Sequence, residues 1–118
     1  MDSKIEQKAR ELAVLIRESK EYRDYLSCRE TLQEDGELYR RVNDFRRENF
    51  LLQMEGEADK LYDEMGRLQS EIAPLRKDER VSGFLQNELF LCRLLQHIDE
   101  VLLEELDFDI EFLEEKDD

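Results

Sequence analysis

The sequence predicts an all-α protein, an antiparallel bundle of about five helices with a long C-terminal helix. Three observations lead to this fold class. Apolar residues recur at intervals of three and four along the chain, which is the helical period. Four Gly and one Pro in 118 residues are too few for the frequent turns of a β protein. Small polar residues that can cap helices precede several of the periodic stretches.

The first helix is predicted to begin at Ser3, because Ser3 and Glu6 have the spacing of a capping box. Ser19 is predicted to cap the second helix, with Glu21 in its first turn where a carboxylate suits the helix dipole. The apolar face of the first helix carries Ile5, Ala9, Leu12, Ala13 and Ile16. The inner face of the second helix carries Tyr22, Tyr25, Leu26 and Leu32.

The clearest break follows at Asp35, which is predicted to cap the third helix with Gly36 and Glu37 behind it. Gly56 is expected to loosen or kink the chain at the far end of this helix. One face carries Leu38, Val42, Phe45 and Leu52, interrupted by Asn49. Three further apolar residues point elsewhere, and they are Phe50, Leu51 and Met54. A helix that is apolar on more than one side is usually covered on more than one side.

A short heptad seam marks the fourth helix, and its members are Leu61, Met65, Leu68, Ile72 and Leu75. Pro74 is expected to weaken the last turn. The connection at residues 76–79 is short and charged, with Asp78 as a possible cap for the next helix. Because short connections join antiparallel neighbours, the fourth and fifth helices are expected to pack on each other.

The final helix is predicted over residues 80–106, roughly 40 Å long. One apolar stripe carries Phe84, Leu91, Leu95, Ile98 and Leu102, and this stripe is expected to face the fourth helix. A second line, about 100° away around the helix, carries Phe90, Leu94, His97 and Val101. This second line is expected to pack against something other than the fourth helix.

The composition is acidic, with 32 Asp or Glu against 18 Lys or Arg and a net charge of −14. Residues 1–106 are predicted to form the helical domain, and residues 107–118 an acidic tail that is frayed or disordered. The tail is read as a solubilising end, or alternatively as a linear motif for a basic partner through its interleaved Phe108, Ile110, Phe112 and Leu113. An acidic body argues against direct binding of nucleic acid.

The N-terminus is polar, and no apolar run is long enough to cross a bilayer. The sequence therefore predicts a cytoplasmic protein without membrane insertion.

Few residues have the pattern of a chemical site. Cys28 and Cys92 are far apart in the sequence and are interpreted as small buried hydrophobic residues. His97 with Glu100 is a His-x-x-Glu pair, but with one His in the chain we interpret His97 as a core or interface histidine. A group of arginines, Arg40, Arg41, Arg46 and Arg47, is interpreted as a salt-bridged surface. We predict no catalytic, cofactor-binding or metal-binding residues.

Surplus apolar residues predict an oligomer interface instead. A helical chain of this length has limited core to offer each helix. The candidate interface residues are Phe50, Leu51, Met54, Phe90, Leu94, His97 and Val101. The simplest assembly is a two-fold dimer.

Four stretches in this order resemble the YlbF/YmcA family of small helical proteins from Gram-positive bacteria. The first runs from Ala9 through Ser19-x-Glu21-Tyr22 to Tyr25. The second is Asp35 opening the next helix with Leu38, Val42 and Phe45. The third is the helix at residues 61–72, and the fourth is Val81-x-x-Phe84-Leu85-x-x-Glu88-Leu89. The resemblance covers roughly residues 5–102.

The resemblance implies an oligomeric helical protein without enzymatic activity, in homo-oligomers or with family paralogues. Studied members influence competence, sporulation and biofilm formation, and they are tied to RNA processing through the ribonuclease RNase Y. Some bind iron–sulfur clusters through grouped C-terminal cysteines, where this chain has Asp and Glu, so no cluster is expected. The leading hypothesis is a regulatory adaptor that binds proteins. The alternative is a structural or self-assembling helical module without a regulatory role.

Overall fold

The computed structural model describes residues 2–107, 109 and 111–113. Within these residues it contains five α-helices, a short 3₁₀ turn at Glu111–Leu113 and no strand, which confirms the all-α class. The helices are α1 Ser3–Arg17, α2 Lys20–Gln33, α3 Gly36–Glu55, α4 Ala58–Arg76 and α5 Glu79–Glu104. None of the described helices is both long and apolar enough to span a bilayer.

Three of the four predicted helix caps are confirmed. The Ser19 hydroxyl accepts from the Tyr22 N–H at 3.2 Å. The Asp35 carboxylate accepts from the Leu38 N–H at 3.1 Å, and Asp78 accepts from the Arg80 N–H at 2.9 Å. Because each cap follows the preceding helix within one to three residues, the chain reverses direction with little loop.

The predicted cap of α1 is wrong. Asp2 caps the helix, and its carboxylate accepts from the Lys4 N–H at 2.7 Å and from the Ile5 N–H at 3.4 Å. Ser3 is therefore the first helical residue and not the cap. Asp and Ser are about equally good caps, and the carboxylate also interacts favourably with the helix dipole, so the helix begins one residue earlier.

The helices form two antiparallel pairs, α2 with α5 and α3 with α4. The predicted packing of α5 along α4 is wrong, since these two helices meet mainly near their short connection. The seam of α4 is covered by α3 instead: Leu52 and Leu68 line one cavity between the two helices, and Phe45 and Ile72 line another. A short connection constrains only the ends of two helices, whereas apolar burial along their length determines which helices pair.

A small core holds the two pairs together. It consists of Leu32 from α2, Val42 from α3 and two α5 residues, Val81 and Phe84, all fully buried. Leu75 at the end of α4 packs against this group. Four helix ends therefore converge on one apolar cluster.

The Phe84 ring lies at the centre of this cluster. It stacks on Tyr25 with ring centroids 5.6 Å apart and meets the edge of Tyr39 at 6.5 Å. The Arg46 guanidinium lies 5.0 Å above the same ring and forms an ion pair with Glu88. Arg46 thereby ties α3 to α5 at the core.

Arg80 links two helix caps beside the core. Its guanidinium lies 2.7 Å from the Asp78 carboxylate and 3.6 Å from the Asp35 carboxylate. Hydrogen bonds from the Arg80 side chain and backbone lower the pKa of Asp78 to about 2. The starts of α3 and α5 are thus joined through one cation.

We expect Phe84→Ala to lower the free energy of unfolding by about 3–5 kcal/mol, because it opens a cavity in the cluster that joins the helix pairs. The matched control is Phe50→Ala, which removes the same ring from a position that is 61% exposed. This control should cost less than about 0.5 kcal/mol. Urea unfolding followed by circular dichroism, at one fixed protein concentration, is the measurement. Equal losses in the two variants would show that Phe84 is not central to the fold.

A second prediction concerns acid stability. The pKa of Asp78 in the folded chain, about 2, lies below its ordinary value of 3.8. The ionised carboxylate therefore stabilises the fold above pH 3.8, and this contribution is lost as the pH falls towards 2. Asp78→Asn should lower stability at pH 6 and flatten the fall in stability between pH 4 and pH 2. Thermal unfolding across this range is the test, with the exposed Asp63→Asn as a control that leaves the slope unchanged.

Candidate functional site

The predicted interface residues fall on two separate surfaces. We define the hairpin surface as Phe50, Leu51 and Met54, which lie in the second half of α3 beside the α3–α4 turn. The other predicted residues lie on α5, within the pair that α5 forms with α2, and they are Phe90, Leu94, His97 and Val101. The sequence indicated that both sets are surplus to the core, but not that they belong to different helix pairs.

The second half of α5 extends beyond the helix that covers it. A cavity of about 360 Å³ lies between the first turns of α2, at Lys20 and Asp24, and the α5 residues Phe90, Leu94 and His97. Because α2 begins at Lys20 and runs antiparallel, later residues of α5 have no partner along α2. Leu95, Val101 and Leu102 are 42–53% exposed although they continue the inward stripe or lie beside it. We call the surface from Leu95 to Leu106 the α5 end.

Helix α1 is a third uncovered surface, and the sequence analysis did not place it in the interface. None of its residues is buried, and only Ala13 and Ile16 are partly covered. Ile5 and Leu12 are 63% and 36% exposed although they lie on its one apolar face. A helix of 15 residues is marginal alone in water, so α1 depends on a covering surface for much of its stability. The predicted Ile5–Ile16 stripe was the signal that could have identified it.

The hairpin surface adjoins a cavity of about 290 Å³ between α3 and α4. Its apolar walls are Leu51, Leu52 and Leu68, and its rim carries Glu48, Glu55 and Glu64. Gly56 closes the turn at this end: a Cβ there would lie 2.4 Å from the Leu52 carbonyl oxygen. Glycine is therefore required for α4 to fold back against α3.

The structure contradicts the prediction for one of the reactive side chains. Cys92 is exposed, so its interpretation as a buried hydrophobic residue is wrong. Cys28 is partly buried against the core, and its sulfur accepts from the Asn87 amide at 3.2 Å. His97 is exposed and therefore does not lie in the core of the chain. Its Nδ1 atom lies 3.8 Å from a carboxylate oxygen of Glu100, which is also exposed. His97 remains an interface candidate.

The arginine group is also partly misassigned. Arg46 is not a surface residue like its neighbours, because it covers the Phe84 ring and pairs with Glu88. Arg40 fits the predicted salt-bridged surface and lies 4.0 Å from Asp44. In residues 2–107, 109 and 111–113, no three His, Cys, Asp or Glu side chains are grouped so as to hold a metal ion. The absence of catalytic and cofactor-binding residues stays a prediction.

The structure describes only part of the acidic tail. Phe108, Ile110 and residues 114–118 lie outside the described residues, so the predicted boundary at 106 and the linear-motif alternative stay untested. Phe112, within the 3₁₀ turn, is 76% exposed.

Comparison with known proteins gives one finding. The family model described as control of competence regulator ComK, YlbF/YmcA, matches residues 5–107, which is most of the chain. No curated protein and no solved structure matches the chain.

Proposed function

The chain belongs to the YlbF/YmcA family, and from this premise we propose that it is a non-enzymatic regulatory adaptor that self-associates and acts by binding other proteins. The observation that carries the proposal is the uncovered apolar surface of α1 and of the α5 end. Contiguous exposed apolar surface on a protein that is not membrane-inserted marks a site of protein–protein contact. The family description supports a regulatory role.

The surface area supports an assembly larger than one chain. The accessible surface is 9917 Å², whereas a compact folded monomer of this mass exposes about 6800 Å². The radius of gyration of 18.0 Å likewise exceeds the roughly 13–14 Å expected for a compact domain of this length. An obligate interface buries roughly 2000–5000 Å² in total, which this excess can supply.

Charge indicates which surfaces meet. Helix α1 carries four Lys or Arg and two Glu, although the whole chain has a net charge of −14. The α5 end is acidic, with four carboxylates and no Lys or Arg over residues 95–106. The two surfaces are apolar along one side and opposite in charge along the other. We propose that α1 of one chain packs on the α5 end of a second chain, and the reverse, in a two-fold dimer.

The proposed role extends to RNA processing. A chain with a net charge of −14 is repelled by phosphates, so the proposed adaptor does not bind RNA or DNA directly. It acts in the cytoplasm on a protein of the RNase Y machinery, alone or with family paralogues, and so influences competence, sporulation or biofilm formation. The second candidate is a self-assembling helical module without a regulatory partner, which the same uncovered α1 and α5 surfaces favour equally.

We expect Leu12→Asp to dissociate the assembly, because it places a charge in the apolar face of α1. Val14→Asp is the matched control, since Val14 is 41% exposed on the opposite side of the same helix. Size exclusion with light scattering at about 20 μM reports the mass. Leu12→Asp should run as a monomer, while the wild type and Val14→Asp should run as dimers. A monomeric wild type would overturn the proposed self-association.

The adaptor role is tested by affinity capture from the native cell with tagged wild-type chain, identifying the proteins recovered. We expect a component of the RNA-processing machinery among them, and altered transcript processing when the gene is deleted. The control bait is Phe84→Ala, which is predicted to lose about 3–5 kcal/mol of stability. Unchanged transcripts, with no protein recovered beyond further copies of the chain, would leave the self-assembling module as the function.

A further inference from the structure

The hairpin surface remains exposed after the proposed self-association, which uses α1 and the α5 end. Phe50 and Met54 are 61% and 69% exposed, at least as much as Leu106, which at 61% is the most exposed of the large apolar residues of the α5 end. They lie on the side of α3 away from Leu52, because residues two apart on a helix are about 200° apart. Helix α4 therefore cannot cover them, and a partner must approach from outside the chain.

An apolar path leads from this surface into the cavity between α3 and α4. Leu51 belongs to both, since it lies next to Phe50 in the sequence and forms a cavity wall with Leu52 and Leu68. The cavity is therefore an open groove with leucine walls beside an exposed apolar helix face, and we call this groove the slot. A single long side chain can enter such a slot with its aliphatic part against the leucines.

Carboxylates surround the opening of the slot. Glu48 and Glu55 extend from α3 and Glu64 from α4, and these three make no ion pair within the part of the chain that the structure describes. The one cation of the rim, Arg67, is held by Glu71 at 2.8 Å. The rim thus offers three free carboxylates above apolar walls.

The wider hairpin has the same sign of charge. Residues 48–64 hold six Asp or Glu and one Lys, and Lys60 lies 3.9 Å from Glu57. A second hairpin would be repelled by this charge, and so would an anionic membrane or a nucleic acid. A basic partner is attracted to it.

We propose that the hairpin surface and its slot bind a basic amphipathic helix of a partner protein. The apolar residues of that helix cover Phe50 and Met54. One of its Lys or Arg side chains enters the slot, with its stem on Leu51 and Leu68 and its charged group among Glu48, Glu55 and Glu64. The inference rests on the proposed function, in that the chain works by binding proteins, and it specifies the chemistry of the partner.

The test uses the full chain and a fluorescent 18-residue peptide of Leu and Arg, designed with Leu along one helical face. A second peptide with Glu in place of Arg is the control probe. We expect fluorescence anisotropy to show micromolar binding of the Leu–Arg peptide and none of the Leu–Glu peptide. A dissociation constant of about 1 mM or higher for the first peptide would mean binding too weak for such a site and would overturn the proposal.

Two triple variants separate local recognition from general attraction. Glu48→Gln/Glu55→Gln/Glu64→Gln removes the rim, while Glu18→Gln/Glu30→Gln/Glu34→Gln removes the same charge from exposed positions at the end of α1 and on α2. The rim variant should bind the Leu–Arg peptide about tenfold more weakly, and the control variant less than threefold. Equal weakening in both variants would mean diffuse attraction to an acidic protein and would overturn the site.

The apolar part is tested by Phe50→Ser, with Tyr62→Ser as its control because Tyr62 is an exposed aromatic residue of α4. Only Phe50→Ser should weaken the peptide complex. Light scattering on the rim variant should give the wild-type mass, because a lower mass would mean that a second copy occupies the hairpin surface and would overturn the proposal. If native partners are captured but the peptide does not bind, this inference alone fails. If the peptide binds but no native partner is recovered, the adaptor role fails while the hairpin surface stands.

Discussion

The burial of Phe84 where four helices converge is the constraint on which the rest of the structure depends. Its ring is enclosed by Tyr25 of α2, by Tyr39 and Arg46 of α3 and by the cluster around Val81. Away from this point α3 and α4 pack on each other, with Leu52 and Leu68 lining the cavity between them. The Phe84 cluster, together with the Arg46–Glu88 and Arg80–Asp35 ion pairs beside it, therefore joins the two antiparallel pairs.

This arrangement explains why so much apolar surface stays exposed. A chain of this length that forms two long pairs has a small shared core, and seven apolar residues are buried among those that the structure describes. Helix α1 contributes none of them, and its main contact among the described helices is with α2. The flat, open shape, with extents of 45 × 45 × 21 Å, is thus itself the reason that α1 and the α5 end carry apolar side chains without a cover, and the proposed partner binding uses this surface.

The sequence was sufficient to predict where the five helices lie along the chain, but not which helices pack on each other. Periodicity and caps located five helices, because both are local properties of the chain, and Ser19 and Asp35 act as predicted. Periodicity also identified which face of each helix is apolar, but it carries no information on which helix meets that face. The pairing of α4 with α3, the exposure of Cys92 and the role of Arg46 at the core all depend on that choice. The candidate interface stays a prediction, and for the same reason the sequence did not divide its residues into two surfaces and did not point to α1.

Charge distinguishes the surfaces that hydrophobicity alone leaves equivalent. Each of the three exposed surfaces is apolar, so burial of area would allow any of them to meet any other. Helix α1 is basic, while the α5 end and the hairpin at residues 48–64 are acidic, so contacts between two acidic surfaces are disfavoured and those with a basic helix are favoured. The α5 end and the hairpin then compete for basic helices, and α1 is a basic helix that the chain itself supplies. The α5 end offers a long apolar stripe that matches the length of α1, whereas the hairpin offers a short face and a slot for one long cation. In the proposed assembly, length and slot, rather than the sign of the charge, direct α1 to one surface and a partner helix to the other.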